Sequence, residues 1–111
     1  CGPCREMIPI ERALLDRLKG RPFAVLGVNS DTPANYAAGS KELPVAWRSF
    51  RDKRVGQPDI SAEWKVGGWP TVYLIDHRGI IRKRWSAAPP AAALDKLVDE
   101  LVATAVEDPD R

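Results

Sequence analysis

The chain has only two cysteines, Cys1 and Cys4, with Gly2 and Pro3 between them. A pair this close cannot staple a small fold, so the fold must rest on buried apolar side chains rather than a disulfide framework. Zinc asks for four ligands. Two cysteines and one histidine, His77, cannot close such a site in a single chain, so no metal is expected. What remains is redox chemistry, in which thiolate is the reactive form. Cys1 sits just before a predicted helix, where unpaired amides favour negative charge, and is the expected attacking sulfur. Cys4 lies on roughly the same helical face. It is placed to attack a mixed disulfide held on Cys1 and release the reduced substrate.

At 111 residues the chain is large enough for one small domain with one core. It is 44% hydrophobic and 29% charged, which reads as globular rather than disordered. A formal charge of +2 gives no global pull toward nucleic acid or an acidic membrane surface. No apolar run approaches the roughly 20 residues of a membrane span.

Met7, Ile10, Leu14 and Leu18 recur every three to four residues and predict a helix from Pro3 to Leu18. Pro3 suits its first turn, Pro9 should kink it, and Gly20 marks its stop. "PFAVLGVN", Pro22 to Asn29, predicts a strand covered on both faces. "SDTPANYAAGSKE" reads as a helix start, with Asp31 or Thr32 as cap and Pro33 in the first turn. Leu43 to Gly68 is irregular apart from a short helix in "ISAEWK". Thr71 to Ile75 and Ile80 to Trp85 form a hairpin around Asp76-His77-Arg78-Gly79. A last amphipathic helix opens at Pro89-Pro90, with Leu94, Leu97, Val98, Leu101 and Ala105 on one face. Helices flanking a mixed sheet make an α/β fold, spanning residues 1–106, with 107–111 as a polar tail.

Cys1-Gly2-Pro3-Cys4, the spaced Pro9 and the Gly68-Trp69-Pro70-Thr71 segment before a hairpin together resemble the thioredoxin fold. "GVNSD" and "YLIDHRGIIRKRW" look more like the TlpA-like thiol-disulfide oxidoreductases of the same superfamily. The resemblance runs from Cys1 to about Val106. It implies a thioredoxin-like fold lacking the strand or strands that precede CxxC, as in an N-terminally truncated chain. It implies reduction of protein disulfides through Cys1 and Cys4 without a cofactor, with Gly2 and Pro3 setting the stiffness and acidity of the turn. It also implies a cis Pro70 facing the dithiol, and a substrate strand meeting the backbone of Trp69. The implied partners are protein disulfides and a thiol donor. The missing strand leaves three outcomes open: the flanking strands close up directly, another chain such as a second copy fills the slot, or the fold is poorly stable. The resemblance is also compatible with a membrane tether lost with the N-terminus, and favours a location in the periplasm or cell envelope over the cytoplasm.

Two other functions stand beside this one. A non-catalytic or truncated module would bind a partner through the gap in its sheet. A peroxide-reducing enzyme would want a Thr-x-x-Cys pocket, and "CGPCRE" lacks the threonine. His77 is expected to be a solvated turn residue. Trp64 is expected to pack at the core or rim, Trp47 and Trp85 in the core, and Trp69 either to pack or to meet substrate. The clusters Arg48, Arg51, Lys53, Arg54 and Arg78, Arg82, Lys83, Arg84 read as solvated faces that discourage edge aggregation, not as a nucleic-acid site.

Overall fold

The computed structural model describes residues 2–30, 34, 38–39 and 47–110. The helix expected to begin at Asp31 or Thr32, and Cys1 itself, fall outside that set. The described elements, in chain order, are α1 (Gly2–Arg17), β1 (Leu26–Asn29), β2 (Arg48–Arg51), α2 (Ile60–Glu63), β3 (Val72–Ile75), β4 (Ile81–Trp85) and α3 (Ala91–Glu107). They belong to two compact units: Cys1–Phe23 with Gly68–Arg111, and Ala24–Gly67.

In the first unit, α1 buries Met7 and Leu14 along one face, and Leu18, just past its end, continues it. Pro9 is accommodated inside the helix because it lies on the solvent face, where the carbonyl freed by its missing amide can meet water. After Arg17 the turn closes by Leu18 N–H donating to the Leu14 carbonyl and Arg21 N–H to that of Leu18. Gly20 then takes φ +79°, the left-handed stop that a side chain would resist. The α1 face meets Leu94, Val98 and Val102 of α3, and Ile10, Phe23, Leu74 and Trp85 pack around this centre. Val102 takes a core place that the sequence stripe assigned to Leu97 and Leu101, which are only half-buried. Arg17 bridges the two helices from outside, 2.7 Å from Asp99 and 3.9 Å from Asp95. Exposed pairs of this kind contribute little.

β3 and β4 pair antiparallel, Val72 opposite Trp85 and Tyr73 opposite Arg84, with a bulge between Leu74 and Ile75. Asp76 organises the turn. Its carboxylate accepts the Arg78 and Ile80 amides, each at 2.9 Å, and the Arg82 guanidinium at 2.7 Å. These donors, the Ile80 amide foremost, hold that carboxyl below its usual range.

In the second unit, β1 and β2 run parallel, with Leu26 opposite Arg48 and Asn29 opposite Arg51. The expected strand from Pro22 is therefore too long. Phe23 belongs to the core of the first unit, so only the end of "PFAVLGVN" is free to pair. Nor is it covered on both faces, since Leu26 is 68% exposed. β2 was not expected at all: "RSFR" has no alternation, and its strand geometry comes from its partner. Among the described residues the strands thus make two two-stranded sheets, one parallel and one antiparallel, rather than one mixed sheet.

Asp52, at the end of β2, is buried and caps α2 from a distance. Its carboxylate accepts the Ser61 amide at 2.6 Å and the Ser61 hydroxyl at 2.8 Å, while its carbonyl accepts the Ile60 amide. Asp52→Ala leaves the half-buried Ser61 donors without their acceptor, at a cost of ~1 kcal/mol. Urea unfolding is expected to register that loss, and hydrogen exchange at Ile60 and Ser61 to quicken. Unchanged exchange at both amides would count against the remote cap.

Candidate functional site

Cys4 lies in the first turn of α1, half-buried, and is not a free thiol. Gly2 and Pro3 open the same helix, and Pro3 is exposed. The apolar stripe behind them explains why the turn sits where it does. Met7, Leu14 and Leu18 fix the rotation of α1 against α3, and that rotation sets Cys4 on the flank of the buried face. Cys1 lies outside the described residues, so its expected role as attacking sulfur is carried forward below as a proposal.

Trp69 and Pro70 lie in the segment that enters β3, within the same compact unit as Cys4. The Trp69–Pro70 peptide bond is cis. Thr71 Oγ1 donates to the Gly68 carbonyl at 2.7 Å, a hydroxyl brace across the four residues. The Trp69 indole is 38% exposed and available for contact. Trp64, expected at the core or rim, is 41% exposed. α2 is a single turn and buries none of its residues.

His77 corrects the sequence reading. It is not a solvated turn residue: its side chain is 13% exposed, and Nε2 lies 2.6 Å from Asp108 Oδ2. The same oxygen accepts Arg78 Nη2 at 2.8 Å. The residue just past α3 is thereby clasped to the β3–β4 turn. Asp108 was assigned to a polar tail because nothing local in "EDPDR" gives it a partner; the partners lie 30 and 31 positions away. The His77 hydrogen bond first, then the Asp110 amide and Arg78, hold the Asp108 carboxyl far below the usual carboxylate range. A depressed carboxyl adds stability above its unfolded value, about 4, and that stability fades as pH falls from there toward the folded value. Acid melts are therefore expected to show Asp108→Asn flattening the loss of stability below pH ~4. An unaltered acid limb would remove the clasp from the account.

Glu11 also escaped the sequence reading, although its place on the apolar stripe between Met7 and Leu14 was visible. Burial alone pushes its carboxyl up to about 7. Several of the basic residues find partners within their own compact unit. Arg54 meets Glu63 and the Pro58 carbonyl, Arg82 meets Asp76, and Lys83 and Arg84 lie over the rings of Trp85 and Tyr73. Among the described residues, no group of three His, Cys, Asp or Glu could hold a metal, and no helix is long and apolar enough to cross a membrane.

No protein-family model matches the chain, and no curated protein does. Among solved structures, the chain is similar to a candidate thiol:disulfide interchange protein, DsbE, from Chlorobium tepidum. The TM-score is 0.79 and the identity 26%, over 92% of this chain and 72% of that one. The fold is therefore thioredoxin-like, of the kind that carries thiol-disulfide oxidoreductases.

Proposed function

We propose that the chain is a thiol-disulfide oxidoreductase of TlpA-like type that reduces protein disulfides through Cys1 and Cys4. The observation that carries this reading is the likeness, over nearly the whole chain, to a thiol:disulfide interchange protein. The half-buried Cys4 at a helix start, with no free thiol, supports it.

In the proposed cycle the Cys1 thiolate attacks a substrate disulfide, joining one substrate sulfur and expelling the other as thiolate. Cys4, as thiolate, then attacks the Cys1 sulfur. The Cys1–Cys4 bond forms, the Cys1–substrate bond breaks, and two electrons have passed from the dithiol to the substrate. A thiol donor restores the dithiol. Gly2 and Pro3 shape the turn, while Trp69 and Pro70 receive the substrate strand. Protein substrates and a thiol donor are the proposed partners, and the periplasm or cell envelope the proposed location. Insulin reduction by the full chain with dithiothreitol as donor tests the reading. Turnover above the dithiothreitol background is expected, and turnover equal to that background would overturn it.

A further inference from the structure

Cys4 and Glu11 are seven residues apart on α1. At 3.6 residues per turn their directions differ by only about 20°, and their Cα atoms by ~10 Å along the axis. Both are half-buried, on the flank of the face formed by Met7, Leu14 and Leu18. Helical side chains lean toward the N-terminus, so the Glu11 carboxyl reaches back in the direction of the Cys4 turn. Among the described residues it has neither a hydrogen bond nor an ion pair. The charges nearby are engaged or directed elsewhere. From α3, Asp95 and Asp99 are taken up by Arg17, while Lys96 and Glu100 are exposed. From β4, Lys83 and Arg84 lie over aromatic rings. Along α1, Arg5, Glu6 and Arg12 project from other faces by helix geometry.

We propose that Glu11 is a positioning residue for the dithiol: its carboxylate opposes ionisation of the Cys4 thiol along one face of α1, so that the two anions are not held together. The proposal rests on the oxidoreductase reading and deepens it. An apolar flank screens like charges poorly, and two charges ~10 Å apart at an effective dielectric of 20–40 interact enough to move a titration by ~0.5–1 pH unit. The burial that raises the Glu11 carboxyl to about 7 places its charge change just below the range in which a thiol titrates. As pH climbs, Glu11 ionises first, and the Cys4 thiol must then lose its proton against that charge. At any pH at which Glu11 carries its charge, the thiolate fraction of Cys4, and with it the resolving step, is smaller than with a neutral residue at that position.

The test follows thiolate absorbance against pH in full-length chains carrying Cys1→Ser, so that Cys4 is the only thiol. Adding Glu11→Gln is expected to lower the Cys4 midpoint by ~0.5–1 unit, and adding Glu11→Asp, which keeps the charge, to lower it less. A Glu11→Gln midpoint within 0.2 unit of its parent, with an unchanged melting temperature, overturns the proposal. Should Glu11→Gln disturb folding, the Glu11 carboxyl is followed by carbon NMR after alkylating Cys4 in the Cys1→Ser chain. An anionic carboxymethyl group is expected to raise its midpoint above that seen with a neutral carbamidomethyl group; equal midpoints overturn the proposal. Loss of insulin turnover in the unaltered chain would strike the oxidoreductase reading alone, because the thiol titration does not depend on turnover.

Discussion

Replacing Cys1 by serine is expected to lower disulfide reduction by ~10³-fold or more, because the step that opens the substrate disulfide loses its nucleophile. A hydroxyl in that place is essentially un-ionised at neutral pH and cannot exchange with a disulfide. Cys4→Ser should be almost as inactive in steady turnover, for a different reason. Cys1 still attacks, but nothing on the chain resolves the mixed disulfide, so one substrate molecule is captured per chain and held. Non-reducing electrophoresis after quenching with iodoacetamide separates the two cases: a trapped adduct with Cys4→Ser, none with Cys1→Ser. Equal residual activity in both variants would remove the dithiol from the mechanism. Rapid reaction of Cys1 with hydrogen peroxide, in a chain that leaves insulin intact, would favour a peroxide-reducing enzyme instead.

Leu94→Ala is expected to carry the largest stability loss, ~2–5 kcal/mol by urea unfolding. Leu94 is 5% exposed and sits in the cluster that joins Leu14 of α1, and Leu18 just past its end, to Val98 and Val102 of α3. Truncation removes three carbons' worth of contacts from a site walled by two helices, which cannot close the void without tilting. A domain with a total stability of ~5–15 kcal/mol has little to spare. Because the same cluster sets the rotation of α1, activity should fall with the folded fraction, and low temperature should restore both together. Arg17→Ala makes the contrasting case. It cuts the exposed bridge between the same two helices and should cost under ~1 kcal/mol. A large loss with Arg17→Ala and a small one with Leu94→Ala would mean that charge rather than packing joins α1 to α3.

The elements with strong internal periodicity were legible in the sequence. Met7, Ile10, Leu14 and Leu18 announce α1, and Leu94, Val98 and Ala105 announce α3, because a helix carries its burial pattern within a few turns. The hairpin was legible because Gly79, at φ +82°, and Asp76 fix a turn with purely local bonds. What escaped depended on distant partners. β2 is a strand because it lies beside β1, not because of "RSFR". Phe23 looked like the start of a strand but is core for another part of the chain. His77 and Asp108 looked solvated because each is the other's partner across 31 positions. At the candidate site, the helix start and the cis Trp69–Pro70 bond were legible in short motifs, and the thiol chemistry proposed for Cys1 and Cys4 is argued from one of the same motifs. Glu11 was passed over because its importance lies in what surrounds it rather than in any motif.

The first compact unit is sewn from two stretches of sequence, with Ala24–Gly67 emerging between them. During synthesis, α1 leaves the ribosome long before the residues that will cover Leu14 and Leu18. At ordinary elongation rates the wait until Val102 appears is on the order of ten seconds. For that interval the nascent chain carries the apolar face of the α1 segment with nothing yet synthesised to cover it.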